Sequence, residues 1–150
     1  MLYKTLRGRG PCYDGVDQDC CKPITVEQQK YIRRCLLLAN KSNLTQKHGC
    51  VLVRNKKIIS SGYNFKIHNS FMIRDKQTEI NEVFSVHAEI SMITKVKNQD
   101  LSNCDMYIVR LGPQKTFKSN HMKYSQPCRV CHSYIEEFGI KRVYYSINCC

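Results

Sequence analysis

Apolar positions fall into blocks of different period along this chain. Ile32, Cys35, Leu36, Leu38 and Ala39 recur at helical spacing, and Thr25 followed three residues later by Gln28 has the form of a capping box, which predicts a helix over about 25–43. CVLVRN and KKIISSGYN read as two β-rich runs folded about Asn55, Lys56 and Lys57, a hairpin. Residues 65–84 have no clean period and form a long connection with room for a short helix. Ile90, Ile93 and Val96 mark a second helix over about 86–97, and the apolar run MYIVRLG, about 106–112, is a buried strand. A basic loop follows. Val130, Tyr134, Ile135 and Phe138 then share one face between Pro127 and Gly139, a helix over about 128–138, and KRVYYSI closes the chain as a strand.

The order helix, hairpin, helix, strand, helix, strand implies a three-layer α/β domain with helices on both faces of a sheet. This domain is expected over 24–150, behind an irregular N-terminal arm over 1–23 that is rich in Gly, Pro, Cys and charge. A chain of 150 residues that is 42% hydrophobic is large enough to bury a core. The longest apolar run, Cys35 to Ala39, is far short of a membrane span, and MLYKTLRGRG has no apolar signal segment. A cytoplasmic protein without a membrane partner is expected.

Charge and cysteine content then add chemistry. The chain carries 24 Lys and Arg against 12 Asp and Glu, a net charge of +12, which points to an anionic partner such as a nucleotide or nucleic acid or, more simply, to solubility. Ten cysteines are unusual in a reducing compartment, where thiols bind metal or react rather than form structural disulfides. Cys35, Cys50 and Cys104 sit on apolar stripes and read as small buried hydrophobes. Cys12, Cys20, Cys21, Cys149 and Cys150 lie at the two ends: they are surface thiols, a second metal site or a cross-link.

His87-Ala88-Glu89 opens the second predicted helix and Pro127-Cys128-Arg129-Val130-Cys131 the third. Cys128 and Cys131 share the first turn, where the helix dipole and free N–H groups favour thiolate, the form that binds zinc. One His and two Cys leave the fourth position of a tetrahedral zinc ion open for water, the mark of a catalytic site. Glu89 is close enough to face the metal without ligating it and to carry its protons.

These segments resemble the signature of the cytidine/deoxycytidylate deaminase superfamily, zinc deaminases with an H-x-E and a P-C-x-x-C motif. The resemblance covers about residues 25–147: HGCVLVRN is similar to the family's first strand, SGYN to the end of its second, and VHAEI, SQPCRVC and GIKRVYYS also read like members. It implies a cytidine deaminase-like fold with a mixed sheet, and one catalytic zinc ion on His87, Cys128 and Cys131. It also implies hydrolytic deamination of a cytosine-type nucleotide: hydroxide generated at the zinc attacks the amino-bearing carbon while Glu89 shuttles protons. By the same resemblance Ala88 and Gln126 hold the base edge through their backbone and Asn64 holds the sugar.

Two departures shape further expectations. The basic loop over 112–126, with Lys115, Lys118, His121 and Lys123, lengthens the span from Glu89 to Pro127 and places charge beside the zinc, suited to a phosphate or simply solvated. Family members usually continue beyond KRVYYSI into a fifth strand and further helices, so the sheet reads as truncated after its fourth strand. The last strand is then an exposed edge or pairs with another subunit, which favours a homo-oligomer. His48 either lines the pocket or is structural, and His68, His121 and His132 are surface residues. Three functions follow: a deoxycytidylate-type deaminase, a deaminase of tRNA or single-stranded polynucleotide, and a non-catalytic assembly protein that keeps the fold.

Overall fold

Residues 2–6, 25–67, 85–112 and 122–147 are described by a computed structural model. The five terminal cysteines, His68, His121, Lys115 and Lys118 lie outside these residues.

Helix α1, Val26–Asn40, starts at the expected capping box: Thr25 Oγ1 accepts from the Gln28 amide and the Thr25 amide donates to Gln28 Oε1, both at 3.1 Å. Strands β2, Lys47–Arg54, and β3, Lys57–Tyr63, form the predicted hairpin. Its turn residues Asn55 and Lys56 have φ of 48° and 64°, the left-handed pair that matches the twist of a two-residue hairpin. Short strands β4, Phe65–Lys66, and β5, Ser85–Val86, pair with each other at the two ends of the long connection. Helix α2 spans Ala88–Thr94, β6 Asp105–Leu111, β7 Met122–Lys123, α3 Arg129–Glu137 and β8 Arg142–Ser146.

Gly139 ends α3 as predicted. It sits at φ +75°, its amide donates to Glu136 O, and the next amide, Ile140, reaches back to Ile135 O at 3.1 Å, while both isoleucines are buried in the core. In α2 the buried face is Ala88, Glu89, Met92 and Ile93, so Met92 takes the place the predicted stripe gave to Ile90.

Two expectations are corrected. The arm over 1–23 is not irregular throughout: Leu2–Leu6 is a strand, β1. Nor is β8 an open edge or a strand awaiting another subunit, because β1 pairs with it in parallel, from Leu2 with Arg142 to Leu6 with Ser146. The sheet order is β1-β8-β6-β2-β3, with β7 beside the end of β6. The chain therefore supplies a fifth strand from its own N-terminus, and the argument for an oligomer from an unpaired β8 falls away. LYKTL was hidden because five residues beside Gly8, Gly10 and Pro11 carry little local signal, and their pairing lies far away in sequence.

The sheet is mixed. β2 runs antiparallel to β3 and β6, while β6, β8 and β1 are parallel. Alternate residues feed two cores: Val51, Val53, Tyr107, Val109 and Tyr144 pack under α1, and Cys50, Leu52, Met106, Ile108 and Val143 pack under α2 and α3. Cys35, Cys50 and Cys104 are buried as expected. Two glycines let the helices approach: a Cβ at Gly49 would lie 2.0 Å from Cys35 O in α1, and one at Gly62 would lie 2.6 Å from Ala88 O in α2. No helix among the described residues is long and apolar enough to cross a membrane.

Candidate metal centre and substrate site

His87 and Cys128 are the N-cap residues of α2 and α3, both in extended backbone, and neither side chain caps its helix. Both are thus free to face a common point. His87 Nδ1 lies 3.2 Å from Cys131 Sγ and 3.5 Å from Cys128 Sγ, and the three atoms fall within 4.8 Å of one another. Zinc held tetrahedrally with Zn–S of about 2.3 Å and Zn–N of about 2.0–2.1 Å requires an S···N separation of about 3.5 Å. The donor set fits. It is the one such group among the described residues.

Glu89 lies in the first turn of α2 and is only 4% exposed. Burial raises its carboxyl above the ordinary range, against its own backbone N–H, His87 and Cys131, which pull the other way. At Cys131 the pull of the helix start toward thiolate is opposed: burial, with Glu89 and Cys128 beside it, pushes its thiol far up. The buried Cys131 thiol and the buried Glu89 carboxyl give up their protons together only with a cation beside them, which is what a divalent ion supplies.

The floor of the site is fixed by the sheet. Cys50 Sγ donates to Ala88 O at 3.0 Å and Ser60 Oγ to Met92 O at 2.8 Å, pinning α2 to β2 and β3. Ahead of α3, Ser125 Oγ donates to Ile108 O at 3.0 Å and meets Ser146 Oγ at 2.8 Å, fixing the approach to Pro127. Ala88 is fully buried. Gln126 is exposed, its Oε1 accepting from Tyr124 Oη. Asn64 is buried, with its amide bonded to backbone: Oδ1 accepts from the His48 amide and Nδ2 donates to Gln46 O, both at 2.7 Å.

His48 lies inside β2, beside Asn64, with Nδ1 3.4 Å from Asn64 Nδ2. Burial, then the charge of Arg110, press its pKa down to about 4. The unfolded chain takes up a proton at about 6.5 that the folded chain refuses, so His48 favours the fold above pH 6.5 and that advantage is lost as pH falls toward 4. His48→Gln is expected to remove up to about 2 kcal/mol of the stability lost between pH 7 and pH 5. Urea unfolding of both proteins at the two pH values measures it, and equal losses would remove His48 from the account.

His132 stays on the surface, 3.6 Å from Glu136 one turn on. Reasoning from the sequence missed His48's neighbour Arg110. Its signal, a cation in an apolar strand, was present, but its place depends on strand register.

Residues 25–147 match the cytidine and deoxycytidylate deaminase zinc-binding region. Among solved structures, the dCMP deaminase of cyanophage S-TIM5 in apo form superposes with a TM-score of 0.56 and 21% identity, covering 79% of this chain and 82% of that one. The same enzyme in complex with dCMP and dUMP gives 0.56 and 22%, over 80% and 81%. At such identity the likeness is one of fold. No curated protein matches the chain by sequence. The family match takes in α1, α2, α3 and both turns that carry the candidate ligands, and by it the chain belongs to the cytidine and deoxycytidylate deaminase family.

Proposed function

We propose that the chain is a zinc-dependent hydrolytic deaminase of a cytosine-type nucleotide, of the deoxycytidylate kind, with one catalytic ion held by His87, Cys128 and Cys131. The observation that carries this reading is Glu89, a carboxyl buried against Cys131 beside the metal ligands. A purely structural metal site has no use for it, and burying an acid there costs stability.

Zinc, when bound, acts as a Lewis acid that makes water a nucleophile near neutral pH. Glu89 accepts the proton of the attacking water and gives it to the ring nitrogen. It then takes the remaining proton from the hydroxyl now bonded to the ring carbon and delivers it to the amino nitrogen, the carbon–nitrogen bond breaks, ammonia leaves and the ring carbon keeps the oxygen as a carbonyl. A carboxyl whose proton is held more tightly than usual is suited to both halves of that shuttle. Ala88 and the backbone before Pro127 hold the base edge, and Asn64 the sugar.

The +12 charge favours a second reading, deamination of a base extruded from tRNA or single-stranded DNA. Ammonia release by zinc-loaded protein from deoxycytidylate, cytidine and an RNA hairpin decides between them. Deoxycytidylate is expected to be turned over with weak salt dependence, whereas polynucleotide affinity falls steeply as salt rises. Absence of turnover with all three would leave the non-catalytic scaffold as the reading.

A further inference from the structure

Beyond the metal ligands, one row of polar side chains crosses the sheet where α2 and α3 begin. The Asn64 amide donates to His48 O at 3.2 Å, His48 pairs across the strands with Arg110, and Arg110 with Lys123. Residues two apart on a strand share a face, so His48 and Arg110 stand on the side of Cys50 and Ile108, under α2 and α3. One step deeper, Cys50 bonds the carbonyl of Ala88, the residue between His87 and Glu89. The row is therefore the sheet surface just beyond the metal helix.

Its far end is cationic and unsatisfied. Arg110 Nη1 donates to Tyr124 O at 3.2 Å, but Nε is buried without a hydrogen-bond partner. Among the described residues neither Arg110 nor Lys123 forms an ion pair with a carboxylate. A buried guanidinium donor left unpaired is costly, and its natural complement is an anion with two oxygens to offer. Strands lie about 4.8 Å apart, so Arg110 and Lys123 stand about 5 and 10 Å from His48 along the row, the scale of a nucleoside rather than of a bare base.

We propose that Arg110, with Lys123, binds the phosphate monoester of a nucleotide whose base lies at the His87–Glu89–Cys128–Cys131 centre. The inference rests on the deaminase reading and deepens it, because it assigns the residues that tell the nucleotide from the free nucleoside. A guanidinium fork matches phosphate oxygens in a way a single ammonium does not, so Arg110 is the specificity-determining residue and Lys123 adds charge.

Two readouts on the zinc-loaded full chain test it. In Arg110→Gln the preference for deoxycytidylate over deoxycytidine, as the ratio of kcat/KM, is expected to fall roughly 10- to 100-fold. Binding of inorganic phosphate, followed by phosphorus NMR and independent of turnover, is expected to weaken about 10-fold or more. If Arg110→Gln fails to fold, Arg110→Lys replaces it, with a loss of about 3-fold or more in either readout expected because the fork is gone. Unchanged preference with unchanged phosphate binding overturns the proposal while leaving deamination intact. Phosphate binding lost in the variant of a wild type that releases no ammonia supports the anion site and removes the deaminase reading instead. A variant that loses RNA-hairpin binding but keeps its deoxycytidylate preference also overturns it, since the phosphate held is then that of a strand.

Discussion

Glu89→Gln is expected to lose deaminase activity by a factor of about 10²–10⁴ while keeping its zinc. Glutamine fills the same volume in a position that is 4% exposed, so the packing of α2 against β2 and β3 is kept and the metal ligands are not moved. What disappears is the ability to accept a proton from water and return it to the leaving nitrogen. The substitution also removes the acid that, after burial, does most to hold the Cys131 proton in place. The variant is therefore expected to bind zinc at least as well as the wild type and to melt no lower, a gain in stability at the expense of chemistry. Ammonia release, metal content and thermal melting on one preparation check all three. A metal-replete variant that turns over at the wild-type rate would remove Glu89 from the mechanism.

The second large effect concerns a residue with no side chain. In Gly62→Ala the new methyl carbon would lie 2.6 Å from Ala88 O, 2.8 Å from Met92 N and 3.2 Å from Met92 Cα. All three are backbone atoms, so no rotamer change relieves the contact and α2 itself must shift. A shift of a few tenths of an ångström is transmitted to His87 and Glu89, which flank Ala88. Overpacking of this kind costs about 1–3 kcal/mol, and here it also separates His87 from the two cysteines. Gly62→Ala is expected to lose zinc affinity and activity together. Gly49→Ala, whose methyl would meet α1 at 2.0 Å from Cys35 O, is expected to cost more stability while the folded fraction keeps its metal. Denaturant titration with zinc content separates the two, and a Gly62→Ala protein with normal metal affinity would show that α2 has slack the packing does not suggest.

Much of this arrangement is written locally in the chain. The capping box at Thr25, the turn at Asn55 and the stop at Gly139 are short-range signals whose chemistry is complete within a few residues, and each is found in place. His87, Cys128 and Cys131 were legible for a related reason: their positions at helix starts follow from sequence, and two helix starts over one sheet have few ways not to meet. The row from Asn64 to Lys123 is of another kind. Arg110 reads as a stray charge in MYIVRLG until β6 is set against β2 in a particular register, and a slip of one residue would turn it to the α1 side. The opposing push on the Cys131 thiol was not legible, because the helix dipole acts over one turn, whereas the burial of Cys131 beside Glu89 belongs to the assembled core.

The pairing of β1 with β8 bears on how the molecule is made. Leu2 meets Arg142, so β1 has no partner until a strand 142 − 2 = 140 positions further along the chain has been made. The β2–β3 hairpin closes over a two-residue turn, while docking of β1 on β8 closes a loop of about 140 residues and carries a much larger entropic cost. Assembly is thus expected to proceed from the middle of the sequence outward, with β1 seated last. Until it is seated, or wherever it is lost to proteolysis, β8 presents a bare parallel edge to which a strand from another molecule can add.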